Sequence, residues 1–307
     1  MVLATIDVGT NTALLLIARV CEGGRLERLD ERAEITRLGR GIGAGGALGA
    51  EGIRATLAAL HQYAELARAQ GARMAAVGTE ALRRAPNGPE FLVPAAEILG
   101  VPIEVIDGER EAALTFRAVL ESFPDARQGA LIVVDIGGGS TEVVLADRGR
   151  QTLARSLPLG SVRLTEQNVH HDPVTTDELA ALRAAVAAGL TGIAFPRDAT
   201  LVGVAGTVTS LAAMAESMAT YDPGRVHGYR LTRDQLAAEI ARLTTSGQAD
   251  RERMIGLDPR RADVILAGAI ILEGIAQAAG AAEVRVSDRG IRWGLAHELA
   301  AQDGRHA

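Results

Sequence analysis

Carboxylates, glycines and hydroxyls stand close together in residues 131–145, which read LIVVDIGGGSTEVVL. An apolar run ends at Asp135, and a second one begins directly after Glu142. The turn between the two runs consists of Gly137, Gly138, Gly139, Ser140 and Thr141. Successive backbone N–H groups in such a turn can bind an anion, and Mg²⁺ is usually held by one or two carboxylates together with phosphate oxygens. The stretch therefore predicts a phosphate bound with Mg²⁺ or another divalent cation; an ordinary hairpin turn is the alternative.

A second copy of this pattern occupies residues 2–12, VLATIDVGTNT. Asp7 aligns with Asp135, and Gly9 aligns with Gly137. The polar side chains of this second turn are those of Thr10, Asn11 and Thr12. The two copies lie about one domain length apart, and such internal similarity indicates a duplicated architecture. We therefore expect two similar lobes, each with a phosphate-binding hairpin, that face each other across a cleft.

Composition narrows the class of protein that must position these residues. The chain has 307 residues, which suggests about two domains, and its 48% hydrophobic and 23% charged residues are typical of a globular protein. A net charge of −6 argues against a nucleic-acid partner. All 32 basic residues are arginines, which excludes the Walker A lysine and any lysine Schiff base. Arginine suits bidentate recognition of phosphate.

Cysteine usage and hydropathy predict a cytoplasmic protein with no membrane partner. Cys21 is the single cysteine, so an intrachain disulfide and a cysteine-based metal site are excluded. The apolar start of the chain has no basic leader and is interrupted at Asp7, which argues against a signal peptide. The longest apolar run, Val264–Leu272, is too short to span a bilayer.

Periodicity and turn signals predict strands that are first antiparallel and then alternate with helices in each lobe. In the first half we expect three strands within 2–36, a glycine-rich loop over 37–50, helices over 51–69, 89–99 and 109–122, and strands over 74–77 and 103–106. In the second half we expect strands over 131–135, 142–147, 152–158, 201–204 and 283–286, and a loop over 217–230. The expected helices there cover 161–168, 176–193, 233–244, 248–254, 260–279 and 291–301. Pro124 breaks the pattern and marks a domain boundary.

Eight short stretches form an ordered set along the chain: IDVGTNT (6–12), GTEALRRAPN (78–87), VIDGEREA (105–112), VDIGGGSTE (134–142), PLGSV (158–162), GVAGT (203–207), LDPRRAD (257–263) and SDRGIRWG (287–294). Together they resemble the exopolyphosphatase/guanosine pentaphosphate phosphatase family. This resemblance implies an α/β fold of two ribonuclease-H-like lobes of the actin-like ATPase superfamily. It also implies that the final helix returns to the first lobe, giving one domain of 1–124 plus 289–307 and a second of 125–288.

The resemblance further implies a phosphoanhydride hydrolase that releases orthophosphate from inorganic polyphosphate, with guanosine pentaphosphate as another candidate substrate. Glu111 matches the family's catalytic base; from composition alone it would be a solvated glutamate in a helix first turn. Arg83 and Asn87 match positions near the transferred phosphate, and Arg83 would stabilise charge on its oxygens. Arg110 departs from the family, which usually has a glutamate at that position, but the second glutamate of the motif is retained as Glu111.

We assign Asp7, Asp135 and Glu142 to Mg²⁺, and the polar groups of both turns to phosphate. Gly206 and Thr207 follow a predicted strand and open a helix, and helix N-termini bind anions. A plain N-cap is the alternative for Thr207. Two arginine clusters would either guide a polyanion or, as we favour, face solvent on helices: Arg251 with Arg253, and Arg260 with Arg261.

Two other functions compete with the hydrolase. An ATP-dependent phosphotransferase of the same superfamily would need an adenosine pocket, which no motif in the sequence marks. A nonenzymatic sensor of alarmones or nucleotides would not need Glu111. The apolar faces of the predicted helices are compatible with a homodimer.

Overall fold

The computed structural model describes residues 1–42 and 46–303. Residues 43–45, within the expected glycine-rich loop, and residues 304–307 lie outside that description. The chain divides into two units: unit 1 comprises Met1–Ala118 and Ile291–Ala307, and unit 2 comprises Val119–Gly290.

The division between the units falls after Ala118, inside the helix Gly108–Ser122, and not at 124. The second division falls after Gly290, whereas the sequence predicted it between residues 288 and 289. Pro124 marks only the end of the helix, since a helix that continues through a boundary carries no turn signal.

The strands and helices follow the predicted order. The strands are β1 (Val2–Val8), β2 (Thr12–Val20), β3 (Leu26–Ile35), β4 (Arg73–Gly78), β5 (Ile103–Val105), β6 (Ala130–Ile136), β7 (Thr141–Asp147), β8 (Arg150–Leu157), β9 (Thr200–Val204), β10 (Arg230–Thr232) and β11 (Glu283–Ser287). The helices are α1 (Ala50–Ala69), α2 (Glu80–Arg84), α3 (Gly88–Leu99), α4 (Gly108–Ser122), α5 (Ser161–Asn168), α6 (Thr176–Gly189), α7 (Ala205–Ala215), α8 (Pro223–Val226), α9 (Arg233–Thr245), α10 (Gln248–Arg251), α11 (Ile265–Ala279) and α12 (Ile291–Asp303).

Unit 1 contains a mixed sheet in the order β3-β2-β1-β4-β5. The β1–β2 and β2–β3 pairs are antiparallel, and the β1–β4 and β4–β5 pairs are parallel. Since β1, β4 and β5 run in the same direction, their carboxyl ends meet at one edge of the sheet. Open α/β sheets usually bind ligands at this edge.

Helices cover both faces of the unit 1 sheet, and the alternation of side chains along β2 explains how. Leu15 and Ile17 belong to a core cluster that includes residues of α1 and α3. Leu16 and Ala18 belong to a second cluster that includes Leu114 of α4 and residues of α12. Because successive side chains of a strand point to opposite faces, an apolar run such as this one can serve two cores.

Unit 2 repeats this plan with one additional strand, in the order β10-β11-β9-β6-β7-β8. The β6–β7 and β7–β8 pairs are antiparallel, and β9 is parallel to both β6 and β11. The strands β6, β9 and β11 therefore correspond to β1, β4 and β5, and their carboxyl ends again share an edge. This correspondence confirms the duplication that the sequence predicts.

The sequence pattern did not predict three short elements, namely α2, α8 and β10. Each has three to five residues, which is too short for a hydrophobic period to emerge. The helix expected over 260–279 begins only at Ile265, because Asp258 caps a short 3-10 turn by accepting a hydrogen bond from the amide of Arg260 at 2.9 Å. Within the described ranges, none of the helices is long and apolar enough to cross a membrane.

Candidate active site

Two carboxylates face each other at the end of the β6–β7 hairpin. Asp135 pairs in register with Glu142, so both side chains lie on the same face of the sheet. Asp135 is 8% exposed and Glu142 is 3% exposed. Two like charges opposite one another in a buried setting are unfavourable unless a cation or a proton compensates them. The pair therefore suits the divalent cation that the sequence predicts.

Two serine hydroxyls hold Glu142 in place. The hydroxyl of Ser140 donates to Oε1 of Glu142 at 2.9 Å, and that of Ser156 donates to the same oxygen at 2.7 Å. Ser156 was not among the predicted site residues, although it lies opposite Glu142 in the β7–β8 pair. The alternation of strand residues could have indicated it once the register was known.

The glycine turn between β6 and β7 leaves backbone amides available for an anion. The carbonyl of Gly137 accepts from the amide of Ser161, and the carbonyl of Gly138 accepts from the next two amides of α5. The amides of Gly138, Gly139 and Ser140 have no acceptor within the part of the chain that the structure describes. With its carbonyls turned toward α5, the turn presents successive amides, as an anion-binding concavity requires. Thr141 differs from the other turn residues, because its hydroxyl donates to the carbonyl of Leu159 in the interior.

The turn from β9 into α7 lies at the same sheet edge. The N-cap of α7 is Val204 without a side-chain cap, so the alternative interpretation of Thr207 as the N-cap is wrong. Ala205 adopts a φ of 71°, an unfavourable conformation for a residue with a side chain. The guanidinium of Arg261 covers Gly206 so closely that a Cβ there would lie 2.1 Å from Nη1. Arg261 therefore brings a positive charge to this helix start, where we had favoured a solvent-facing role.

Arg251 also departs from the solvent-facing role that we favoured, since it is 3% exposed. Its guanidinium donates to the carbonyls of Leu243 and Ala262, which joins the end of α9 to the segment before α11. It therefore has a structural role in unit 2.

The two hairpin turns share one backbone contact: the amide of Gly9 donates to the carbonyl of Thr12, as the amide of Gly137 does to the carbonyl of Ser140, each at 3.0 Å. Asp7 is 7% exposed and pairs across the hairpin with Leu14. The hydroxyl of Thr10 lies 3.5 Å from the buried carboxylate of Glu80 on α2. Glu80 was not predicted, and it connects this hairpin to the helix that carries Arg83.

Arg83 and Glu111 form an ion pair at the edge where β4 and β5 end. Glu111 is 4% exposed and lies in the first turn of α4, whose capping residue Asp107 accepts from the amide of Arg110 at 2.8 Å. Arg83 also donates to the carbonyl of Ile106 at 2.5 Å. The structure thus brings together the two residues assigned to catalysis and fixes both side chains.

Asn87 contacts the loop before α1. Its side chain accepts from the amide of Leu48 at 2.8 Å and donates to the carbonyl of the same residue at 3.2 Å. Asn87 therefore has a structural role, and its predicted contact with phosphate stays a prediction.

Among the described residues, no group of three or more His, Cys, Asp or Glu side chains could hold a metal ion by itself. Mg²⁺ does not require such a group, because it keeps several waters and commonly binds one or two carboxylates plus substrate phosphates. Asp135 and Glu142, buried and in register, fit that mode of binding.

The model of the Ppx/GppA phosphatase family matches residues 16–302 of this chain. The chain belongs to the Ppx/GppA phosphatase family. Exopolyphosphatase 2 of Mycobacterium tuberculosis is 38% identical to it over 315 residues, covering 97% of this chain and 98% of the relative. A putative exopolyphosphatase of Haemophilus influenzae is 28% identical and covers 97% of this chain and 91% of that relative.

Structural comparison agrees with this membership. The crystal structure of the Aquifex aeolicus member of the Ppx/GppA family matches with a TM-score of 0.84 and 34% identity, covering 99% of this chain and 98% of that one. The expected fold of two actin-like lobes and the expected enzyme class, a phosphoanhydride hydrolase, are confirmed for this Ppx/GppA protein.

Proposed function

We propose that this protein is an exopolyphosphatase, which hydrolyses the terminal phosphoanhydride bond of inorganic polyphosphate and releases orthophosphate. The observation that carries the proposal is the ion pair of Arg83 and Glu111. In this pair the Arg83 guanidinium holds the buried Glu111 carboxylate at the edge of the sheet where the parallel strands end. The similarity to exopolyphosphatase 2 of Mycobacterium tuberculosis supports polyphosphate as the substrate.

Glu111 acts as the general base. Hydrolysis of a phosphoanhydride requires a group that orients a water in line with the leaving oxygen and accepts its proton. The contact with Arg83 fixes the direction of the Glu111 carboxylate. The Arg83 guanidinium also stabilises the negative charge that spreads over the phosphoryl oxygens during transfer.

Phosphate oxygens are bound by the backbone amides of the glycine turn in unit 2 and by the start of α7. At the latter, the partial positive charge of the helix N-terminus adds to the charge of Arg261 beside Gly206. The turn of Gly9 to Thr12 provides the equivalent amides and hydroxyls in unit 1.

Asp135 and Glu142 would hold Mg²⁺ or another divalent cation, and the assignment of Asp7 to a cation stays a prediction. When bound, that cation neutralises charge on the phosphoryl oxygens. The two serine hydroxyls that donate to Oε1 of Glu142 fix the position of this carboxylate.

Guanosine pentaphosphate is a second candidate substrate, since its conversion to the tetraphosphate breaks the same type of bond. The groups of the proposed site would contact the phosphates and not the guanine nucleobase, so both substrates would use them in the same way.

The test measures phosphate release in the presence of Mg²⁺ from short polyphosphate, long polyphosphate and guanosine pentaphosphate. Replacement Glu111→Gln removes the base, and we expect kcat to fall by about 10²–10⁴-fold. The matched control is Glu109→Gln, an exposed residue in the same helical turn, which should retain wild-type kcat.

Wild-type turnover by Glu111→Gln under conditions where chemistry limits the rate would refute the mechanism. Consumption of ATP only when an acceptor is added would instead indicate a phosphotransferase. Tight ligand binding without any turnover would indicate a sensor.

A further inference from the structure

Arg110, which directly precedes the proposed base, makes a bidentate ion pair with Glu298 of α12. Nη1 of Arg110 donates to Oε2 of Glu298 at 2.8 Å, and Nη2 donates to Oε1. Both side chains are partly buried, at 33% and 21% exposure. The hydrogen bond from Arg110 holds the pKa of the Glu298 carboxyl below its usual range. Bidentate guanidinium–carboxylate contacts fix orientation as well as distance.

This ion pair continues a close contact between α4 and α12. Gly294 packs on α4 so tightly that a Cβ at this position would lie 1.9 Å from the carbonyl oxygen of Leu114. Arg110 and Leu114 are four residues apart on α4, and Gly294 and Glu298 are four residues apart on α12. Residues with this spacing share a helix face. The ion pair therefore lies one turn beyond the point where the two backbones meet.

Helix α12 is itself attached to the sheet that carries Asp7. The hydroxyl of Thr5 on β1 donates to the carbonyl of Arg292 at 2.8 Å. Glu31 on β3 accepts from the guanidinium of Arg292 and from Nε1 of Trp293, the latter at 2.9 Å. The start of α12 is thus fixed to two strands of unit 1, and its later turn reaches Arg110.

We propose that the Arg110–Glu298 pair positions Glu111 for catalysis. Consecutive helical residues point about 100° apart, so Arg110 reaches α12 while Glu111 reaches Arg83 on α2. The first turn of α4 is held from both sides, and its base is placed relative to the sheet edge. Arg110 is a positioning residue, since it acts through its neighbour. This inference rests on the proposed role of Glu111 as base.

The test is a double-mutant cycle with Arg110→Gln, Glu298→Gln and both together, assayed for polyphosphate hydrolysis. A misplaced base lowers the rate of the chemical step without weakening substrate binding. We expect each single variant to lose about ten- to a hundredfold in kcat with KM within twofold of wild type. The double variant should lose no more than either single variant, because both changes remove the same contact.

The matched control is the Arg183–Glu273 pair of unit 2, which is also bidentate and also joins two helices, α6 and α11. Arg183→Gln and Glu273→Gln should leave kcat unchanged. Losses of equal size in the control variants, a change in KM alone, or additive losses in the Arg110–Glu298 cycle would overturn the proposal.

Hydrogen exchange of the amides in the first turn of α4 tests the same idea without turnover. Faster exchange there in Arg110→Gln and in Glu298→Gln, and not in the control variants, is expected. Unchanged exchange overturns the positioning role even if the wild-type protein proves inactive. Absence of wild-type phosphate release with altered exchange would refute only the proposed function.

Discussion

Asp7 pairs with Leu14 across its hairpin, whereas Asp135, at the equivalent place in unit 2, pairs with Glu142. Both turns are closed by the same amide-to-carbonyl contact over four residues. The backbone of the two hairpins is therefore conserved between the units while the residue opposite the aspartate has changed. Only the unit 2 hairpin presents two carboxylates in register.

The two units differ also in the segment after the second parallel strand. In unit 2, β9 leads directly into α7, with Gly206 beneath the guanidinium of Arg261. In unit 1, β4 leads into the short helix α2, which carries Arg83 toward Glu111. The proposed cation site and most of the proposed phosphate contacts thus lie in unit 2, and the proposed base lies in unit 1.

Within this comparison of the two hairpins, the largest effect is expected from removing one carboxylate from each. Glu142→Gln removes one of the two paired carboxylates, and we expect kcat/KM to fall by about 10²-fold or more, with a higher Mg²⁺ requirement. Asp7 lies opposite Leu14, so Asp7→Asn should lower kcat/KM less and shift the Mg²⁺ requirement less. A titration of phosphate release against Mg²⁺ measures both.

The control for this comparison is Asp147→Asn, an exposed carboxylate at the end of β7, which should behave as wild type. Equal shifts in Mg²⁺ requirement for Asp7→Asn and Glu142→Gln would show that the two hairpins contribute equally to cation binding. The proposed difference between the hairpins would then be wrong.

A smaller effect is expected from the glycines behind the two turns. A Cβ at Gly160 would lie 2.2 Å from the backbone oxygen of Gly138, whereas one at Gly39 would lie 2.5 Å from the Thr10 methyl. The first overlap requires a backbone shift, so Gly160→Ala should destabilise by about 1–3 kcal/mol and weaken phosphate binding. Gly39→Ala should cost less, because a side chain can move aside. Urea unfolding measures the loss of stability, and product inhibition by orthophosphate measures phosphate binding. Equal losses of stability in the two variants would contradict the prediction.

The smallest effect is the pH dependence of the Arg110–Glu298 contact, which attaches α4 to α12 in unit 1. The folded-state pKa of Glu298 lies below its unfolded value, chiefly because Arg110 donates to the carboxylate. The resulting stabilisation is present above the unfolded pKa and is lost as the pH falls through the folded one. Because both groups are partly exposed, the free energy of unfolding of the wild type should exceed that of Glu298→Gln by at most about 1 kcal/mol at neutral pH.

Urea unfolding at neutral and at acidic pH measures this difference. The difference should disappear in acid, where both proteins have a neutral side chain at position 298. A gap that stays constant with pH would show that packing, and not charge, distinguishes the two proteins.

The two hairpins, the order of most elements and the two-lobed class could be read from the sequence. Each hairpin has an apolar run, a glycine turn and a second apolar run, and these signals are local. The sequence also placed Asp135 and Glu142 on either side of the turn, but their pairing in register was seen only in the structure. The family motifs then supplied Glu111 and Arg83 together.

Three contributors to the candidate site could not be read in this way. Ser156 reaches Glu142 from β8, Glu80 reaches Thr10 from α2, and Arg261 covers Gly206 from the segment before α11. Each contact joins residues well separated in sequence. Glu80 and Arg261 lie within the family motifs, but no motif indicates which residue either of them contacts. For the same reason Arg251 was expected to face solvent, although it is buried.

By itself, the sequence determined the repeated hairpin with its aspartate, glycines and hydroxyls, because turn chemistry and strand alternation depend on neighbouring residues. Only the tertiary structure decided that Arg83 meets Glu111, that Arg110 meets Glu298 and that Gly294 lies against Leu114. These contacts depend on which faces of distant helices pack together. That choice is set by the burial of whole apolar faces against the sheet, and no short segment of the chain encodes it.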